Sequence, residues 1–199
     1  MIVIADYGMG NLRNVRRAVE ACGAAAVVSS SPEDVRDAEK ILLPGVGAFG
    51  EAVRRIDALG LRDPLLESVQ KGTPILGICL GMQLLFEASE ESPGARGLGV
   101  IPGEIVRFGG DVKVPHIGWN DVVPIHPSDL FPGGGGVFYF VHSFLLPRSA
   151  FAVAKTSYGG EWVSAVQRER VFGAQFHPEK SQESGLRTLR AFLLSDGGK

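Results

Sequence analysis

A chain of 199 residues with 45 % hydrophobic and 21 % charged residues is long enough for one domain with a full core and has an ordinary globular balance. Its net charge of −2, without a basic run or an arginine-rich helix, excludes an electrostatic footprint for nucleic acid, so the expected partners are small molecules or proteins. Two cysteines, Cys22 and Cys79, exclude a disulfide framework, and the longest uncharged apolar stretch, Thr73 to Phe86, is too short to span a bilayer.

If Cys79 is a working thiol it must stay reduced, which predicts the cytoplasm, and Met1 leads into Ile-Val-Ile-Ala-Asp with no targeting segment visible. Ile2 to Asp6 read as a buried strand, and Leu12, Val15, Val19 and Cys22 recur at helical spacing up to the stop at Gly23. Ala25 to Val28 make a second strand. Ser31 followed by Pro32 is an N-cap with proline at the first helical position, and Lys40 to Leu43 make a third strand. This alternation predicts an α/β fold with a mostly parallel central sheet and helices on both faces.

Gly45-Val46-Gly47-Ala48-Phe49-Gly50 spells G-x-G-x-x-G, the string of a dinucleotide-binding loop. It follows the third strand rather than the first, and the next strand ends in Ile78-Cys79 rather than an acidic residue, so the nucleotide reading is the weaker one. The same glycines would let backbone N–H groups approach a substrate carbonyl, as an oxyanion hole requires.

Helices are expected near Ala48 to Leu59 and Leu61 to Gln70, then a strand from Thr73 to Ile78 and a helix to about Ala88. Beyond Pro93, short segments broken by glycine and proline (Gly103 to Phe108, Asp121 to Pro124, Val137 to Val141, Ala150 to Lys155, Trp162 to Val166) predict a smaller, more antiparallel sheet region. Gly133 to Gly136 read as a flexible loop tip. Val171 to Phe176 make another buried strand, ending in His177-Pro178-Glu179, and Leu186, Leu189 and Phe192 mark a closing helix. There are no internal repeats, and residues 1–199 are expected to form a single domain.

Gly77-Ile78-Cys79-Leu80-Gly81 is the G-x-C-x-G form of a nucleophile elbow. A strand turning sharply into a helix needs small flanking residues, and its apex is expected to stand exposed above the sheet with the thiol directed outward. The helix start at Leu80 supplies free N–H groups and a positive dipole end, both favourable to a thiolate. A cysteine nucleophile needs a base and a group that orients the base. His126 lies among prolines and polar residues, and His116 and His142 sit near strand ends; His177 ends an apolar strand with Glu179 two residues on. In extended chain such residues point to one side about 6.6 Å apart, within converging reach. No H-E-x-x-H and no C-x-x-C pair is present, so no metal site is predicted.

Pro44-Gly45-Val46-Gly47, Gly77-Ile78-Cys79-Leu80-Gly81-Met82-Gln83 and Gln175-Phe176-His177-Pro178-Glu179 resemble, in chain order, the three signatures of the class I, triad-type glutamine amidotransferase family. The resemblance covers nearly the whole length and implies a flavodoxin-like fold and no cofactor. Asp6-Tyr7-Gly8-Met9-Gly10-Asn11, Pro115-His116-Ile117-Gly118-Trp119-Asn120 and His177-Pro178-Glu179-Lys180-Ser181 resemble those members that serve histidine biosynthesis as glutaminase subunits. The resemblance implies L-glutamine as substrate and a heterodimer with a cyclase subunit, a (β/α)8 barrel, that uses the ammonia. The catalytic residues it implies are Cys79, His177 and Glu179, with an oxyanion hole from Gly47 and Leu80. Gln83, Glu91 and Ser143 match glutamine-holding positions; Asn11, Trp119, Asn120, Tyr139 and Lys180 match partner-facing ones. Phe144 is a departure, since tyrosine is common there. Two other readings stay open: a glutaminase for another synthase, such as that of vitamin B6, and a non-catalytic nucleotide-binding module using the Gly45 to Gly50 loop.

Overall fold

The computed structural model describes residues 1–195; residues 196–199 of the expected domain lie outside the described residues. The chain opens with β1 (Ile2–Ala5), α1 (Leu12–Ala21), β2 (Ala26–Ser29), α2 (Pro32–Arg36) and β3 (Lys40–Gly45). Helices α3 (Phe49–Ala58) and α4 (Arg62–Gln70) lead to β4 (Ile75–Cys79) and the short α5 (Leu80–Leu84). Strands β5 (Ala88–Ser89), β6 (Glu104–Arg107), β7 (His116–Pro124), β8 (Gly136–His142) and β9 (Phe144–Leu145) follow. The chain ends in β10 (Ala152–Ser157), β11 (Glu161–Arg168), β12 (Val171–Ala174), a 3-10 turn at Pro178–Lys180 and α6 (Gln182–Leu194). Among the described residues no helix is long and apolar enough to cross a membrane.

Nine strands form one sheet in the order β2-β1-β3-β4-β12-β11-β10-β7-β8. The first five run parallel. From β12 onward every pairing is antiparallel. The antiparallel segments therefore extend the parallel sheet, while β5, β6 and β9 make a separate three-stranded sheet. Alternate residues of the parallel strands enter different cores: Val3, Ile41, Leu43 and Ile75 pack with residues of α2, α3 and α4, whereas Ile4, Leu42, Leu76 and Ile78 pack with α1 and α6. With helices on both faces, β3, β4 and β12 are buried almost throughout, which is why they read as unbroken apolar runs.

The helix expected to reach Ala88 stops at Leu84. The segment at 97–101 takes over its carbonyls: Leu98 donates to Leu84 O at 2.7 Å and Ile101 to Leu85 O at 3.0 Å. Strand β7 starts five residues earlier than expected, at His116. It pairs with β8 from His116↔His142 to Val122↔Gly136, with His116 inward and Ile117 and Trp119 outward. The apolar-inward rule fails there because the apolar residues face out. Gly135 and Gly136, expected in a loose tip, are packed: Arg187 donates to Gly135 O at 2.7 Å, and a Cβ on Gly135 would meet Val122 O at 2.0 Å.

Candidate active site

Cys79 closes β4 with φ 53° and ψ −110°, a left-handed conformation that costs a non-glycine residue energy and marks a strained turn. Its flanking glycines are there for close approach. A Cβ on Gly81 would stand 1.6 Å from Leu43 O and one on Gly77 2.6 Å from Gly81 O, so any side chain would push α5 off the sheet. The expected exposed apex is instead buried, with Cys79 only 5 % exposed. The end of β8 covers it, placing Val141 O 3.9 Å from Sγ, and Gln175 Nε2 approaches Sγ at 3.7 Å. Access is through a cavity of about 440 Å³ bordered by Gly47, Cys79, Leu80, Gln83, Glu91, Ser143 and Lys180. The cavity lies at the carboxyl ends of the parallel strands, where open α/β sheets place their ligands.

His177 and Glu179 meet differently from the extended geometry expected. Pro178 begins a 3-10 turn, where its missing N–H costs nothing, and the turn brings Glu179 Oε1 to 2.8 Å from His177 Nδ1. The turn is tied to the edge strand β8. His177 N–H donates to Tyr139 O at 2.9 Å, Tyr139 N–H donates to Ser181 Oγ at 2.9 Å, and that hydroxyl donates to His177 O at 2.6 Å. Both side chains of the His177–Glu179 pair are 2 % exposed. Burial disfavours the imidazolium, but negative charge on Cys79 and then Glu179 more than offsets it and raises the His177 pKa to about 10. His177 Nε2 makes no well-aligned hydrogen bond among the described residues, yet the ring is close enough to Cys79 for that charge to dominate its proton.

Gln83, 4 % exposed, donates both amide hydrogens inward, to Phe144 O at 3.2 Å and Gln175 Oε1 at 3.0 Å, which leaves its own Oε1 as an acceptor at the cavity. Glu91 Oε2 accepts from Phe49 N–H at 2.7 Å, and Ser92 Oγ from Gly50 N–H at 2.9 Å. These contacts occupy the helix-start donors that a nucleotide phosphate would need, an argument against the nucleotide reading of this loop. Gly47 has φ +108°, and Leu80 is the first residue of α5, whose first-turn N–H groups lack intrahelical partners. Tyr7 donates to Pro44 O at 2.8 Å, directly before the glycine loop; burial, reinforced by the charge of Cys79, pushes its phenol pKa up and keeps it a donor.

The expected partner-facing residues divide. Trp119, 48 % exposed, stands edge-on to Tyr139 with ring centroids 6.0 Å apart, and Lys180 Nζ lies 5.6 Å over the Tyr139 ring while also lining the cavity. Asn120 points the other way: its Nδ2 donates to Ser157 O at 3.0 Å and lies 3.3 Å from His116 Nε2. Asn11 is the N-cap of α1, accepting from Asn14 N–H at 3.4 Å, outside the cavity. Gln175, fully buried beside the thiol, was missed by sequence reasoning although it sits inside the Gln-Phe-His-Pro-Glu string. Cys22, the other cysteine, donates to Leu186 O at 3.5 Å and takes no part in the cavity. Among the described residues no cluster of three or more metal-ligating side chains occurs.

The molecule is thus an α/β protein with a cysteine at a strand–helix elbow beside a buried His–Glu pair. The family model for glutamine amidotransferase class-I matches residues 3–195, and the chain belongs to that family. It is 46 % identical over 97 % of its length to a Methanothermobacter thermautotrophicus protein named imidazole glycerol phosphate synthase subunit HisH, covering 98 % of that relative. It is 48 % identical over 96 % of its length to a protein of the same name from Syntrophotalea carbinolica, again covering 98 % of it. A solved structure described as glutamine amidotransferase aligns over 96 % of each chain with a TM-score of 0.78 at 21 % identity, a likeness of fold.

Proposed function

We propose that the protein is the glutaminase subunit of imidazole glycerol phosphate synthase, supplying ammonia for histidine biosynthesis. The observation that carries this reading is the 46–48 % identity, over nearly the full length of both chains, to relatives of that name. Cys79 Sγ attacks the side-chain carbonyl carbon of L-glutamine. The C–N bond breaks as His177 gives its proton to the departing ammonia, leaving a γ-glutamyl thioester. Water then adds, His177 takes its proton, and glutamate leaves the restored thiol. Glu179, 2.8 Å from Nδ1, orients the imidazole and favours its charged form. The backbone N–H groups of Leu80 and Gly47 hold the oxyanion. The Gln83 Oε1 acceptor and the Glu91 carboxylate, both at the cavity, suit the substrate's α-ammonium, and Ser143 supplies a further polar contact.

The partner in this reading is a separate cyclase subunit, a (β/α)8 barrel, seated on the outer face of β7 and β8. Support comes from the run of exposed apolar residues there, Ile117, Trp119, Val123 and Val137, beside Tyr139 and Lys180. Lys180 belongs to both the patch and the cavity, so docking would close the cavity mouth and give ammonia a dry way out. The test is glutamate release with and without the cyclase and its ligand. Stimulation that vanishes in Cys79→Ala is expected; no stimulation, or an unchanged rate in that variant, overturns the reading. Copurification with a pyridoxal phosphate synthase would instead assign it to vitamin B6 synthesis.

A further inference from the structure

Two histidines outside the Cys–His–Glu set, His116 and His142, are 4 % and 6 % exposed and lie among the rings of Phe108, Phe140 and Trp162. Their hydrogen-bond roles follow from one end of the chain they form. His142 Nδ1 is 2.7 Å from Phe144 O, and a carbonyl only accepts, so Nδ1 carries the hydrogen and Nε2 of the neutral ring is an acceptor. His116 Nδ1, 3.3 Å from that Nε2, must then be the donor, which leaves His116 Nε2 to accept from Asn120 Nδ2 at 3.3 Å. Burial lowers the pKa of both rings, that of His142 to about 3, so neither is charged at neutral pH.

The inner end of this chain reaches the thiol. Phe144 O accepts from Gln83 as well as His142, the second Gln83 hydrogen goes to Gln175 Oε1, and Gln175 is thereby left with its Nε2 toward Cys79 Sγ at 3.7 Å. Each amide orientation is dictated by the group before it. If Gln83 were flipped, it would aim an NH2 at the cavity where the substrate's ammonium binds.

We propose that His116 and His142 are positioning residues for the glutaminase reaction: as neutral Nδ1–H tautomers they link Asn120 on β7 to the Phe144 carbonyl that fixes Gln83 and Gln175 against Cys79. The proposal rests on the reading of Cys79 as the glutaminase nucleophile. It assigns Asn120 an internal role, on the opposite face of β7 from Trp119. Because the fixed group nearest the substrate is Gln83, the relay acts on glutamine binding more than on turnover.

Two measurements separate this proposal from that reading. Long-range proton–nitrogen NMR of the wild-type protein at pH 7 needs no activity and is expected to show Nδ1–H on both rings; Nε2–H or an imidazolium on either overturns the relay. Kinetics on the complex with the cyclase then compare His142→Leu, which removes the donor, with His142→Asn, whose amide nitrogen can replace Nδ1. His142→Leu is expected to raise KM for glutamine about tenfold with kcat within about threefold, the loss of one buried hydrogen bond. His142→Asn is expected to recover most of the affinity. Equal KM in wild type and both variants overturns the positioning role. Should His142→Leu fail to fold, His116→Leu, which removes the hydrogen bond to His142 Nε2, is expected to raise KM for glutamine about threefold with His142 still Nδ1–H; an unchanged KM overturns the proposal. A wild-type complex without glutaminase activity would count against the functional reading and leave the tautomer result standing.

Discussion

The two halves of the nine-stranded sheet are built for different tasks. The parallel half, β2-β1-β3-β4-β12, is covered by helices on both faces and holds Cys79 at the end of β4 and His177 just beyond β12. The antiparallel half ends in the β7–β8 ribbon, which leaves Ile117, Trp119, Val123 and Val137 in solvent while its inner face packs His116 and Phe140. Groups that must not move sit on the half whose inner strands, β3, β4 and β12, are buried on both faces. Groups that could meet another protein sit on the half with one face open, and β8 reaches across to roof the thiol through Val141. The division teaches that the candidate site and the open face belong to one continuous sheet, with the hydrogen bonds among His177, Tyr139 and Ser181 as the seam.

Removing the thiol proposed as nucleophile on the parallel half should break the comparison most completely. Cys79→Ala is expected to lower glutamate release at least about 1,000-fold, measured in the stimulated complex. Gly81→Ala tests the packing that creates the elbow. A Cβ 1.6 Å from Leu43 O cannot be accommodated without moving backbone, so a loss of about 3 kcal/mol in urea unfolding is expected. A fully stable Gly81→Ala protein would show that the elbow relaxes. Glu179→Gln leaves the turn in place but exchanges the carboxylate for an amide at His177 Nδ1. A fall of about 100-fold in kcat is expected, with KM little changed.

On the antiparallel half, Trp119→Ala is expected to weaken cyclase binding about 30-fold, the truncation of one aromatic anchor, with no change in melting temperature. Calorimetric titration with the cyclase checks it; a large loss of stability would place Trp119 in the fold rather than on a docking face. The remaining effect is electrostatic. The folded-state pKa of His177, about 10, exceeds its ordinary 6.5, so its contribution to stability is fully present below about pH 6.5 and is lost as pH rises through 10. Urea unfolding at pH 6, 8 and 10 should show that decline in the wild type and less of it in Cys79→Ala, where the larger of the two charges raising the pKa is gone.

The parallel half was legible because burial on both faces writes itself as continuous apolar runs, and Ser31-Pro32 marked its helix as predicted, with Ser31 Oγ accepting from Glu33 N–H at 3.2 Å. The β7 strand was read short because His116 and Asn120 point inward and Ile117 and Trp119 outward, against the usual alternation. The helix after the elbow was read long because its stop is a distant segment, residues 97–101, that captures its carbonyls. Gln175 passed unnoticed because a glutamine next to an apolar strand carries no sign of its neighbour across the sheet.

The sequence by itself determined the α/β alternation, the elbow glycines, the His-Pro-Glu string and the family, since each depends on residues close along the chain. Only the tertiary structure decided that the thiol is roofed rather than exposed, that His177 and Glu179 converge through a 3-10 turn, and that Asn120 faces inward. Those outcomes depend on which strands become neighbours and which face of each is covered, and hydrogen bonds between residues 26 to 96 positions apart, such as His116 with His142 and Gln175 with Cys79, leave no local trace in the chain.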